Sequence, residues 1–217
     1  IVKPKASWEN LMADELGVAS GVIAALVYEH NGNKYLDMSC DVWEDMAYSK
    51  QFKFAKAYQK AYAAWKNVLV EKTFRKGGAS FEMRLIPPGR FWMGSPSGEK
   101  DRDSDEKRHR VLLTKAYWLQ KTEITQGQWE AVTGETPWSG KDYARSNSEY
   151  AASYISWNDI KGKFLSKLSS SFTLPTEAQW EYACRGGVTA RFYWGDDNSY
   201  SEIDKYAWFS GNKKGSY

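Results

Sequence analysis

Between about Asp41 and Val68 the chain repeats apolar residues every three or four positions: Phe54, Tyr58, Ala61, Tyr62 and Trp65. Lys50, Lys53, Lys56, Lys60 and Lys66 fall between them. That period predicts an amphipathic helix. Its lysines either face solvent or form a basic surface for an anionic partner, and the pattern leaves both readings open. Upstream, SWENLMADEL (7–16) predicts a short helix beginning after Ser7, with acidic residues in its N-terminal half and Gly17 to close it. VIAALVYEH and KYLDMS then flank Asn31–Gly32, a strong short hairpin signal. A helix through 22–29 competes with the first of those strands.

At RKGGAS (75–80) the texture changes to shorter elements with more turns. We place a domain boundary there: 1–80 as a mainly helical extension, 81–217 as a second, loop-rich domain. MRLIPPGRFWMGS (83–95) predicts two short strands across a Pro-Pro-Gly turn. Three helix starts follow. Thr125 to Gln128 and Thr176 to Gln179 both spell T-x-x-Q, in which the threonine hydroxyl accepts the N3 amide and the glutamine returns to the cap. Each is followed by Trp-Glu, and Ile124 is placed to staple onto Trp129. The third start is Ser156-Trp-Asn-Asp159, with Ile160, Phe164 and Leu168 as its apolar stripe.

The stretch FTLPTEAQWEYACRGG (172–187) concentrates this logic. Pro175 ends an incoming strand, Thr176 and Gln179 cap a helix, and a buried-looking Trp180 lies with Ala183 and Cys184 on one face of it. Gly186 takes the left-handed closing conformation, and Arg185 sits at the negative end of the dipole. Cys184 has no histidine nearby, and a helix C-terminus disfavours a thiolate. The stretch is a frame rather than a reactive site.

Composition narrows the classes. The net charge of +3 and the dispersed basic residues argue against a nucleic-acid partner. No apolar run is long enough to span a bilayer, so no membrane role is expected, and we expect a cytoplasmic protein. Eleven tryptophans, 14 tyrosines and 9 phenylalanines can fill a core or present rings to sugars or peptides. Cys40 and Cys184, far apart and without a Cys/His cluster, argue against zinc. Two free buried thiols are expected, with one long-range disulfide as the alternative. Asp101, Asp103 and Asp105 suggest a calcium loop, but an EF-hand needs glycine at its sixth position and a carboxylate at its twelfth, where Glu106 and Leu112 stand. A solvated loop is expected instead.

In order, MRLIPPGRFWMGS, EKRHRVLLTKAYWLQKTEITQGQWEAV, YISWNDI, FTLPTEAQWEYACRGG, FYWGDD and YAWFSGN resemble the formylglycine-generating-enzyme, or sulfatase-modifying-factor, domain family. The resemblance covers roughly 81–217 and only the N-terminal part of the family domain. It implies an α+β, loop-rich fold related to C-type lectins, here preceded by the mainly helical region with its candidate β-hairpin. The reactive cysteine pair of active members lies in the later half, beyond Tyr217, and neither Cys40 nor Cys184 matches it. The resemblance therefore assigns no catalytic residue. It implies calcium near the WGDD-like stretch, where Asp196, Asp197 and Asn212 stand, but assigns none of them as a ligand; turn chemistry is the alternative. Copper is implied only if a missing half supplies the thiolates. Trp157-Asn158-Asp159 spells a lectin sugar tripeptide, but it opens a helix here, and the sugar reading is rejected.

Three functions are expected from this. The first is a non-catalytic binding or regulatory module of a larger bacterial protein, associated with a peptidase or kinase, whose partner is another protein or the rest of the same polypeptide. The second is the N-terminal portion of a copper-dependent oxidase that makes formylglycine. The third is a substrate or product of proteolysis.

Overall fold

Asn31 and Gly32 adopt φ of 49° and 71°, the left-handed pair that a two-residue hairpin turn requires. The computed structural model describes residues 8–17, 20–209 and 211–212. Ser7, the expected cap of the first helix, lies outside them, as do Val18 of the early apolar run and Ser210 of YAWFSGN. In chain order the elements are α1 (Trp8–Leu16), α2 (Ser20–Ala24), β1 (Val27–His30), β2 (Asn33–Met38), α3 (Asp41–Glu44) and α4 (Tyr48–Lys66). β3 (Glu71–Lys76), β4 (Ala79–Ile86), β5 (Gly89–Met93), β6 (His109–Leu113) and β7 (Tyr117–Gln120) follow. The helices α5 (Gln126–Thr133), α6 (Trp157–Asp159) and α7 (Glu177–Arg185) complete the set. The result is a mixed α+β architecture with long irregular connections.

The chain divides into two compact units, each assembled from separated segments. The first takes residues 1–70, 85–118 and 175–199. Its sheet has the order β1-β2-β5-β6, with β2 and β5 parallel (Leu36 beside Gly89) and the other pairs antiparallel. α1 packs along α4, and the core gathers Met12, Ile23, Leu26, Leu36, Met38, Trp43, Phe54, Tyr58, Phe91 and Tyr182. The expected helical face of α4 is confirmed: Phe54, Tyr58 and Ala61 are buried, while Lys50, Lys53, Lys56, Lys60 and Lys66 are exposed. The expected single helix from Asp41 is broken at 45–47 into α3 and α4. The competing readings of 22–29 are both partly met, since α2 ends at Ala24 and the strand begins at Val27.

The second unit takes residues 71–84, 119–174 and 200–217. β3 and β4 pair antiparallel, Phe74 beside Phe81 and Thr73 beside Glu82, so Phe74, Phe81 and Met83 point to one face and Thr73, Arg75 and Glu82 to the other. The apolar face joins a core of Phe81, Trp129, Val132, Trp138, Phe164 and Leu168. Trp129 stacks on Phe164 with ring centroids 5.2 Å apart and planes 6° from parallel. From Ile160 the α6 turn widens to a π-helix through Phe164, which delivers that ring.

Three expectations need correction. The strands on either side of Pro87-Pro88 exist but belong to different sheets, because β5 pairs with β2 and β6 rather than folding back on β4. No strand leads into Pro175; residues 172–175 are irregular. Trp180 is not packed but 58% exposed, and Tyr182 is the buried residue of α7. The helix period was legible, but it does not say which of two apolar-bearing faces finds a neighbour. Trp129, in the matching T-x-x-Q-W-E of α5, is 2% exposed.

Candidate functional site

α7 is held at both ends by its own sequence. The Thr176 hydroxyl accepts the Gln179 N–H at 3.2 Å, and Gln179 Oε1 accepts the Thr176 N–H at 2.9 Å. The same reciprocal pair closes Thr125–Gln128 on α5 and Ser156–Asp159 on α6. Gly186 closes α7 at φ 55°. One turn earlier, Glu181 and Arg185 form an i, i+4 ion pair at 2.7 Å. Arg185 was expected to serve the helix dipole, and it does more: it donates to Gly94 O and Ala190 O, each at 3.1 Å. Glu181 accepts the Gly94 N–H at 3.0 Å. Gly94, at φ 84°, has no room for a side chain, since a Cβ would lie 2.8 Å from Lys107 O.

The loop beyond Gly94 is closed by Glu106, whose carboxylate accepts the Ser95 hydroxyl at 2.7 Å and the Asp103 N–H at 3.2 Å. Those bonds, the serine first, hold its pKa below the usual carboxylate range. The carboxylate at the sixth position of the D-x-D-x-D run thus organises the loop through hydrogen bonds, and Asp101, Asp103 and Asp105 are exposed around it.

Gly187 continues the frame. Its carbonyl accepts the Trp43 indole N–H at 2.9 Å, and the buried Gln51 amide takes the Thr189 N–H at 3.0 Å while donating to Trp43 O at 2.8 Å. Tyr182 packs edge-on against Phe91 at 5.1 Å, and Tyr117 donates to Gln179 O at 2.6 Å. Burial raises both phenol pKa values. FTLPTEAQWEYACRGG is therefore a clamp that fixes β5, α3 and α4 of the first unit.

The FYWGDD turn is built the same way. Phe192 and Gly195 exchange backbone hydrogen bonds, and Phe192 stacks on Trp194 at 4.5 Å. Asp196 accepts the Arg191 N–H at 2.9 Å and the Tyr48 hydroxyl, a bond that pushes the Tyr48 pKa up to about 12. Asp197 accepts the Ser199 hydroxyl at 3.2 Å. Asn212, in the other unit, accepts the Phe209 N–H and donates to Ala207 O within its own turn. Each of these side chains holds a hydrogen bond in or beside its turn, and no group of three His, Cys, Asp or Glu residues is gathered for a metal among the described residues.

Cys40 and Cys184 are free thiols, as expected, but not both buried: Cys40 is half-buried and Cys184 exposed. Cys40 Sγ donates to Asp37 O at 3.3 Å. Desolvation raises the pKa of each, more than the Trp43 amide near Cys40 or Arg185 near Cys184 lowers it. Their surroundings prime neither thiol as a thiolate.

Residues 67–215 match the family profile of the sulfatase-modifying factor enzyme 1-like domain, and the chain belongs to that family. It is 38% identical over 76 residues to a formylglycine-generating enzyme of Streptomyces coelicolor, covering 32% of this chain and 22% of that one. A formylglycine-generating enzyme of Mycobacterium tuberculosis is 74% identical over 23 residues, 11% of this chain and 8% of that one. The inactive C-alpha-formylglycine-generating enzyme 2 of Bos taurus is 31% identical over 101 residues, 45% of this chain and 30% of that one. The aligned segments thus span less than a third of the curated relatives' lengths. Among solved structures, Treponema denticola variable protein 1 superposes with a TM-score of 0.52 over 68% of this chain and 67% of its own, at 22% identity, which is a likeness of fold. No helix among the described residues is long and apolar enough to cross a membrane.

Proposed function

We propose that this chain is a non-catalytic binding or regulatory module of the family, with the lectin-related version of its fold used as a scaffold. One observation carries the reading. The clamp around Glu181, Arg185 and Gly94 is complete, yet neither Cys40 nor Cys184 matches the family's reactive pair, and among the described residues neither is hydrogen-bonded to a base. A relative named as inactive shows that the family includes members without the activity. The partner in this reading is another protein or the rest of a larger bacterial polypeptide, and the setting is the cytoplasm.

The second reading, the front portion of a formylglycine-generating oxidase, draws on the 74% identity to the mycobacterial enzyme over 23 residues. Product formation separates the two: the oxidase reading expects a cysteine-containing peptide to lose its thiol and gain an aldehyde, and the module reading expects no change. Alkylation of the native protein by iodoacetamide, followed residue by residue by mass spectrometry, is expected to be slow at pH 7 for Cys40 and Cys184. Its rate should climb only above the ordinary thiol range, because thiolate is the reactive form and both pKa values are raised. Fast alkylation of either cysteine at pH 7 would contradict the protonated, desolvated thiols described above.

A further inference from the structure

Several asparagines of this chain have either the side-chain amide or the following backbone N–H tied up. Asn147 Oδ1 accepts the Glu149 N–H at 2.9 Å, and Asn212 is bonded through both its oxygen and its amide nitrogen. Asn158 is followed by the Asp159 N–H, which donates to the Ser156 hydroxyl at 3.1 Å. Asn67 has a left-handed backbone at φ 55°, but the next N–H, that of β-branched Val68, donates to Ala63 O at 2.9 Å.

Asn31 has neither restraint. It is exposed at the tip of the β1–β2 hairpin, with exposed Gly32 after it. Among the described residues neither the Asn31 side chain nor the Gly32 N–H makes a hydrogen bond. The neighbouring Asn33 amide donates to the Asn31 main-chain oxygen at 3.2 Å and leaves the side chain alone. No heavy atom lies within 4 Å of where a Gly32 Cβ would stand, so nothing crowds an approach to the Gly32 nitrogen. His30 opposite Asn33 is the last ladder pair, so the tip can rearrange while the strands stay paired.

We infer that Asn31 is a self-modification site, where the chain converts its own asparagine to aspartate and isoaspartate. The Gly32 nitrogen, on losing its proton, attacks Asn31 Cγ; the new C–N bond closes a succinimide ring and ammonia leaves. Water then opens the ring at either carbonyl, so the net change is water consumed and ammonia released, with no oxidant or reductant. The resting left-handed turn does not itself place the nitrogen on Cγ, and rotation about the Asn31 ψ bond brings it there. Aspartate tolerates the left-handed region as asparagine does, and that product keeps the turn. Isoaspartate lengthens the main chain between His30 and Asn33. It thereby disturbs the register that sets Val27 beside Leu36, a fully buried core residue.

The test ages the full native chain at mildly alkaline pH, then digests it and maps every asparagine by mass spectrometry. Released ammonia is measured in parallel, and isoaspartate is counted by methyl transfer from an isoaspartate O-methyltransferase. The Asn31 peptide is expected to split into aspartate and isoaspartate forms while Asn67 and Asn147 remain amides. Conversion should speed up as pH rises, because the attacking nitrogen must be deprotonated. Asn31→Asp, which keeps the turn, should lose the ammonia release and the early methyl-acceptor signal. Separated by ion exchange, the isoaspartate form should unfold at lower urea than the aspartate form. An Asn31 that stays an amide in the native chain but converts in the urea-unfolded chain would overturn the inference, since the turn would then protect it. Conversion of Asn67 or Asn147 as fast as Asn31 would overturn it too. Neither result bears on catalysis, so the non-catalytic reading stands or falls separately.

Discussion

Gly187→Ala should destabilise the protein by about 3 kcal/mol or more. Gly187 sits at φ 88°, and a Cβ there would fall 2.5 Å from Ala55 Cβ, with Met38 Sδ at 3.3 Å and the Trp43 ring at 3.4 Å behind it. Ala55 is on α4 and cannot rotate away, so either the helix shifts or the Trp43–Gly187 hydrogen bond is lost. The neighbouring Gly186→Ala is the internal control. Its φ is 55° and its added Cβ would meet only Phe52 at 3.7 Å, an ordinary contact, so the left-handed backbone alone should cost about 1 kcal/mol. Urea unfolding of the two variants measures the difference directly. Equal effects would mean that the close approach of α4 to the double glycine is not a feature of the native protein.

Trp129→Ala should cost about 3–5 kcal/mol, whereas Trp180→Ala should stay within about 0.5 kcal/mol. The two tryptophans occupy the same place in T-x-x-Q-W-E, after the same capping box with the same pair of hydrogen bonds. Only their surroundings differ: Trp129 is stacked on Phe164 inside the core of the second unit, and Trp180 stands 58% exposed on α7. Denaturant melts of both variants settle the comparison. A large loss for Trp180→Ala would show that its indole is covered by something in solution.

This pair shows what the sequence could convey. Capping boxes, the Asn31–Gly32 turn and the lysine-backed face of α4 depend on residues within a turn or two of one another, and all were legible. Burial of Tyr182 instead of Trp180 was not, because it depends on Phe91, a strand about ninety residues earlier. The parallel pairing of β2 with β5 was hidden for the same reason, and the Pro-Pro-Gly turn suggested a hairpin in its place. The family motifs announced a frame, but the roles of Arg185 and Glu181 emerged only with Gly94 beside them.

We propose that this chain keeps the family frame and serves as a non-catalytic module. That proposal is tested most directly by incubating the protein with a cysteine-containing peptide, copper(I) and oxygen, then weighing the peptide. The account predicts that its mass is unchanged. A peptide that has lost its thiol and gained an aldehyde, in proportion to the protein added, would contradict it.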